Sequence, residues 1–250
     1  MEKEDFISFN NVSFRYEDGM GEGFNNINLQ IYKGECLAVV GRSGCGKSTL
    51  LKLLAGILKP TKGELLLNKK AIQIGDMAYM PQKDLLLARK TVYDNIRISA
   101  LLNPKHKINE NDTIKWLDRA GILSKKDMYP SELSGGMRQR VAFVRTILTG
   151  KEVLLLDEPF GALDYLTKRD MQLWLIHMKK ALSQTIVVIT HDLEEALLLG
   201  DRVFVMNIEK EWEEPINSNI GDKLDFNIRY RSDFIELRKM LEEKFYNNKI

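Results

Sequence analysis

Between Phe6 and Tyr16 apolar and polar residues alternate, and the same period of two returns in Ile27-Asn28-Leu29-Gln30-Ile31. Alternation of this kind predicts strands with one buried face. Gly19, Gly21 and Gly23 lie between the two segments, which together read as an antiparallel β region. Further along, Cys36 to Val40, Val153 to Leu156, Thr185 to Ile189 and Val203 to Met206 are apolar almost without a break. Unbroken runs suit strands covered on both faces, as in a parallel sheet. Helical spacing occupies Lys47 to Gly56, Asp164 to Leu182 and Leu193 to Leu199, between those runs. Strand runs alternating with helices predict an α/β domain with a mostly parallel sheet.

From about Lys90 to Thr149 the texture changes. Helical periodicity appears in Thr91 to Leu102 and in Asn109 to Ala120, with no convincing strand, so this stretch reads as a helical subdomain inserted at about 88–149. The rest of residues 1–215 forms the α/β domain, and 216–250 is a short helical tail. In that tail Phe234, Leu237, Leu241 and Phe245 fall on one helical face. Trp116, Trp174 and Trp212 read as packing residues.

Composition narrows the function classes. A chain of 250 residues, 44% hydrophobic and 29% charged, has the balance of a folded domain of one core. A formal net charge of +2 gives no basic field for nucleic acid, and Lys69-Lys70 and Lys125-Lys126 are short enough to be solvated surface. Cys36 and Cys45 have no CxxC spacing and no disulfide framework, which suits a reducing compartment. The start, Met1-Glu2-Lys3-Glu4-Asp5, is too acidic for a secretory signal. No run approaches the ~20 apolar residues of a membrane span; the best, Leu50 to Leu58, contains Lys52. A membrane role is therefore expected to come through a partner.

Gly41-Arg42-Ser43-Gly44-Cys45-Gly46-Lys47-Ser48 has the P-loop spacing G-x-x-x-x-G-K-[ST]. It follows an apolar run and opens a helix, the context that the motif needs. Its glycines let successive N–H groups turn inward onto phosphate oxygens, and the helix N-terminus adds its positive end. In P-loop enzymes the lysine, here Lys47, reaches the β- and γ-phosphates, and the hydroxyl, here Ser48, ligates Mg²⁺. A second feature is the apolar run 153–156 ending in Asp157-Glu158. Burying adjacent carboxylates without a cation costs several kcal/mol. Asp157 fits the acid that holds Mg²⁺, and Glu158 is placed to polarise the water that attacks the γ-phosphate. Both acids together point to hydrolysis rather than passive nucleotide binding.

Leu133-Ser134-Gly135-Gly136-Met137-Arg138-Gln139 precedes the acidic strand. A Ser-Gly-Gly that opens a helix presents free N–H groups and a hydroxyl, a second anion site in the making. Here the chain resembles the ABC ATPase family, whose signature is Leu-Ser-Gly-Gly-Gln; Met137 stands where that consensus has glutamine. The resemblance covers about Phe6 to Met206 and assigns further residues. Tyr16 matches the aromatic that stacks on adenine. The cradle, Gly41 through Thr49, holds the phosphates of ATP. Gln82, in Met80-Pro81-Gln82, matches the glutamine that touches Mg²⁺ or its water, and His191 matches the switch histidine at the γ-phosphate. Gly161-Ala162-Leu163-Asp164 matches the loop that crosses between subunits. His106 and His177 match no motif.

The resemblance implies an ATP-sandwich homodimer in which Ser134, Gly135 and Gly136 of one copy close on the ATP of the other. It also implies a peripheral position on the cytoplasmic face of the membrane, docked on a permease through a groove near Gln82 and 83–87, with a solute-binding protein as indirect partner. Pro159 to Asp164, His191 to Ala196, and Arg229, Arg231, Asp233, Phe234, Leu237 and Arg238 in the tail resemble the nitrate/sulfonate/taurine importer ATPases. The implied function is to energise uptake of a small solute. Exporter ATPases and importers for other cargo, such as thiamine-precursor pyrimidines, are the alternatives. A small-molecule kinase would lack the Ser134 motif.

Overall fold

A computed structural model describes residues 5–16, 23–102, 109–182, 184–206, 212–225 and 227–246. Met1 to Glu4, Gly19, Gly21 and His106 lie outside them. The chain opens with β1 (Asp5–Phe14), β2 (Phe24–Tyr32) and β3 (Cys36–Gly41), and α1 (Lys47–Leu54) follows the glycine loop. Next come β4 (Lys62–Leu67), β5 (Lys70–Ala71) and β6 (Ala78–Met80). The helical stretch supplies α2 (Val92–Leu102), α3 (Glu110–Arg119) and α4 (Gly135–Ile147). The remainder is β7 (Val153–Asp157), α5 (Tyr165–Ala181), β8 (Thr185–Thr190), α6 (Leu193–Leu199), β9 (Arg202–Met206), β10 (Ile216–Asn217) and α7 (Ser232–Tyr246).

Two sheets divide the strands. One is antiparallel, ordered β2-β1-β4-β5; the other has six strands ordered β10-β9-β3-β8-β7-β6. In the second sheet every pair from β9 to β6 is parallel, and only the short β10 runs against its neighbour. The unbroken apolar runs become its central strands, because each face of that sheet is covered. Cys36, Ala38 and Val40 point into a core shared with α5, α6 and α7. Leu37 and Val39 point the other way, into a core shared with α1 and the antiparallel sheet. Period-two alternation thus sends one strand's side chains into two cores, and polar positions have no place on either face. A third cluster, built on Val92, Ile96, Leu117, Val141 and Val144, holds the helical stretch together. Among the described residues from 90 to 149 there is no strand.

The tryptophans pack as expected. Trp174 meets Phe143 edge-on at 5.1 Å, and Trp212 meets Phe24 and Phe204 at 6.2 and 5.8 Å. The tail is part of the fold: Phe234 and Leu241 of α7 are fully buried in the first core. Arg229 and Arg238 both reach the carboxylate of Glu194 on α6, at 3.0 and 2.9 Å. Arg202 and Glu35 form a buried two-point ion pair, 2.7 and 3.0 Å, that pins β9 to the turn before β3. No described helix is long and apolar enough to cross a membrane.

Candidate active site

Parallel strands deliver all their C-terminal ends to one edge, and in open α/β sheets that edge is where ligands bind. Strand order fixes what meets there. The glycine loop leaves β3, and His191 follows its neighbour β8. Asp157 ends β7, the next strand over, with Glu158 directly after it, and Gln82 follows β6 beyond that. Residues far apart in sequence are thereby set side by side.

The loop is shaped by glycine where glycine is needed. Gly46 precedes α1 with φ of 91° and Gly44 has φ of 85°, conformations costly for other residues. A Cβ on Gly41 would lie 2.5 Å from Cys45 Sγ and 2.6 Å from Met206 O, so no side chain fits. Lys47 starts α1 and is only 7% exposed, yet its ammonium donates to Gly41 O at 2.7 Å and Arg42 O at 2.9 Å, and lies 3.9 Å from Cys45 Sγ. None of these partners carries a negative charge. A buried cation satisfied by carbonyl dipoles is a site that an anion completes. Burial also pushes the Cys45 thiol up. Arg42, Ser43 and Ser48 are exposed around the loop. Tyr16 stands beside it: its hydroxyl is 2.9 Å from Thr49 Oγ1, and its ring meets Phe14 edge-on at 4.8 Å.

Asp157 is 8% exposed, and Tyr79, on the neighbouring strand β6, donates a hydrogen bond to its Oδ2 at 3.0 Å. Burial raises its pKa above the ordinary carboxylate value; the Tyr79 hydrogen bond and Lys47 pull it back, and Glu158 pushes it further up. Burial and the same carboxylate push the Tyr79 phenol up. Glu158 has a left-handed φ of 43°, unusual for a residue with a Cβ. Two backbone bonds hold that conformation: Glu158 N donates to Ile189 O at 3.0 Å, and Gly161 N donates to Glu158 O at 3.1 Å. The side chain is thereby aimed at the gap, where Gln82 Nε2 donates to Glu158 Oε2 at 3.1 Å and His191 Nδ1 lies 3.4 Å from the same oxygen. A carboxylate oxygen between an amide and an imidazole is well placed to orient a water and accept its proton.

Ser134, Gly135 and Gly136 occupy a different place, at the start of α4. Ser134 Oγ accepts from Met137 N at 3.3 Å as the helix cap. A Cβ on Gly136 would meet Thr167 Cγ2 at 2.7 Å, and one on Gly135 would meet Leu163 at 3.3 Å. Their described neighbours therefore belong to the loop and helix after Glu158. Two residues around the site were not singled out by sequence patterns. Tyr79 is one. Lys168 is another, bonded to Asp192 at 2.8 Å and to buried Glu195 at 3.0 Å. Asp192, next to His191, caps α6 by accepting from Glu194 N and Glu195 N. Although burial opposes it, Lys168 and those amides hold the Asp192 carboxyl below the usual range. The position of Asp192 beside His191 was the available signal; nothing local marks Lys168 as its partner.

This topology and this loop define a P-loop nucleotide-binding protein. Residues 24–161 match the model of the ABC transporter family. The chain belongs to that family and is an ABC transporter ATPase. It is 40% identical to the taurine import ATP-binding protein TauB of Roseobacter denitrificans over 220 residues, 84% of this chain and 82% of that one. It is 38% identical to the formylaminopyrimidine import ATP-binding protein ThiZ of Halalkalibacterium halodurans over 204 residues, 81% of this chain and 80% of that one. A dimeric ATP-binding cassette in a post-hydrolysis state bound to ADP and Pi superposes with a TM-score of 0.71 at 26% identity, covering 85% of this chain and 99% of that chain.

Proposed function

We propose that this chain is the ATP-hydrolysing subunit of an importer for a small organic or inorganic solute, working as an ATP-sandwich homodimer beneath a separate permease. The observation that carries the reading is the convergence of Lys47, Asp157, Glu158, Gln82 and His191 at the ends of neighbouring parallel strands. Lys47 leaves its two carbonyl partners for the β- and γ-phosphates, and the amides from Gly41 to Thr49 take the remaining oxygens. Tyr16 stacks on adenine. Glu158 accepts the proton of the water as that water's oxygen bonds to the γ-phosphorus and the bond to ADP breaks. Gln82 and His191 keep the carboxylate and water aligned. Ser134, Gly135 and Gly136 of the second copy supply donors from the far side, because one cradle leaves part of the γ-phosphate uncovered.

Mg²⁺ fits the donors present: buried Asp157 without a cationic hydrogen-bond partner, the exposed Ser48 hydroxyl and the Gln82 amide. Among the described residues no group of three His, Cys, Asp or Glu forms a closed protein cage, so Asp157, Ser48 and Gln82 would be what this chain offers the ion. When bound it would supply charge neutralisation to the phosphates of ATP.

Leu85 and Leu87 are 60% and 49% exposed on the loop after Gln82, a fitting place for an apolar permease helix. Through that contact the subunit works at the cytoplasmic face of the membrane. The importer reading draws on the named activities of TauB and ThiZ, whose cargoes differ. The cargo proposed here is a nitrate-, sulfonate- or taurine-like anion, with a pyrimidine as the second reading. Co-purification with a permease, and ATPase activity stimulated by a loaded solute-binding protein, tests it. Activity that no solute-binding protein alters, in a complex that expels its substrate, would overturn the importer assignment.

Tyr16→Ala should weaken ATP binding about 5- to 150-fold, the loss of ~1–3 kcal/mol of base stacking. Tyr16→Phe keeps the ring and loses only the Thr49 hydrogen bond, so its affinity should stay close to that of the parent. Titration with a fluorescent ATP analogue reads both.

A further inference from the structure

The loop that carries Gln82 is fastened to the helix that Ser134 caps. Arg138 Nε donates to Asp84 Oδ2 at 3.1 Å while its Nη1 donates to Leu133 O at 2.7 Å. Two turns further along α4, Arg145 donates from Nη2 to Asp84 O at 2.6 Å and from Nη1 to Leu85 O at 2.9 Å. The far end of the loop is bound to α2 instead. There the buried Asn95 side chain accepts from Leu87 N at 2.7 Å and donates to Leu87 O, Lys90 O and Thr91 O. A segment with no helix or strand of its own thus has its polar groups taken up by the helical stretch. Its other end, Gln82, bonds the carboxylate of Glu158 at 3.1 Å.

We propose that Asp84, Arg138 and Arg145 are positioning residues that couple the two ATP sites of the dimer. The helix that meets the partner's nucleotide through Ser134 sets, through these three side chains, the loop that places Gln82 on Glu158 in its own site. The inference rests on the reading above in which Ser134 closes on the partner's ATP. Arg138 is one helical turn from Ser134, about 6 Å along the axis, so a shift of the helix end is carried to Asp84 without bending the helix. The contact is a two-point hold rather than a diffuse one: Arg145 binds two successive carbonyls, and Arg138 binds the side chain between them and α4. Coupling of this kind is reciprocal, so each bound ATP should favour the other.

The test is ATP hydrolysis by the full chain as a function of ATP concentration, with dimerisation and monomer ATP affinity measured alongside. The parent should show a Hill coefficient well above 1, with about 2 as the ceiling for two sites. Asp84→Asn and Arg138→Gln should each bring it toward 1, and the double variant should go no lower, since each removes one charge of the same Asp84–Arg138 ion pair. Monomer affinity for ATP should stay within about twofold, a readout that general loosening of the fold would move. Asp84 lies on a partly exposed loop, so Asp84→Asn tests the link in a folded protein. A parent coefficient of 1, or undiminished cooperativity in Asp84→Asn dimers, overturns the coupling while leaving the dimer intact. Absence of ATP-driven dimers in the parent overturns the dimer reading itself, and the coupling with it.

Discussion

Glu158→Gln is expected to bind ATP as tightly as the parent, to hydrolyse it about 10²–10⁴ times more slowly, and to accumulate as ATP-bound dimers. The substitution is nearly isosteric, and the two backbone bonds that hold residue 158 in its left-handed conformation involve Ile189 and Gly161 rather than the carboxylate. Glutamine therefore keeps the shape and loses proton affinity at the one oxygen that both Gln82 and His191 face. In the proposed site ATP binding draws on Lys47 and the loop amides, which the change leaves alone. Steady-state phosphate release and size-exclusion chromatography with ATP read the two halves. Turnover near the parent rate would show that another group takes the proton, and dimers that appear equally without ATP would show that nucleotide is not what closes them.

How much of this was legible in the sequence depends on whether a feature leaves a local imprint. The central strands announce themselves because a strand buried on both faces has no polar positions, as in Val153 to Leu156. The glycine loop is legible because φ values of 85° and 91° at Gly44 and Gly46 nearly demand glycine. β6 left almost no trace: Ala78, Tyr79 and Met80 are too few for a period to show, and it is a strand because β7 pairs with it. β4 was equally quiet, since it lies exposed over half its length beside β1.

The site divides along the same line. Lys47, Asp157 and Glu158 sit at fixed offsets from strand ends, inside motifs that single them out, whereas His191 was assigned only through the family resemblance. Tyr79, Lys168 and the Asp84–Arg138–Arg145 contacts join residues about 24 to 78 positions apart, and an ordinary tyrosine or arginine does not announce its partner. The left-handed φ of Glu158 was likewise invisible, because glutamate carries no preference for it. That conformation is held by tertiary hydrogen bonds, and strain of this sort persists where the surroundings over-determine it.

Asp157→Asn separates what the site costs the fold from what it does. Hydrolysis should fall at least ~10³-fold, on the scale of removing the charge proposed to hold Mg²⁺. The nucleotide-free protein, however, should be as stable as the parent or more so at pH 7. Burial has raised the Asp157 pKa above its unfolded value, so the folded state holds its proton more tightly than the unfolded chain does. Such a carboxyl contributes its favourable share only below the unfolded pKa of about 3.9, and that share is lost as pH rises through the folded value. At neutral pH the ionised group is therefore a liability. Asparagine avoids it while its Oδ1 still accepts the Tyr79 hydrogen bond. The gain reads as a rise in melting temperature, at about 2–4 °C per kcal/mol for a chain of this size. The gain should shrink as pH falls through the folded value and vanish well below about 3.9, where the parent carboxyl is protonated in both states. Saturating Mg²⁺ and ATP should reverse the order, since ligand at about 100 times its dissociation constant stabilises the parent by about 2.7 kcal/mol. Melting curves across pH, with and without Mg²⁺ and ATP, read all three trends. A variant that melts below the parent at pH 7 and stays below it at pH 4 would show that the Asp157 carboxylate supports the fold rather than burdening it.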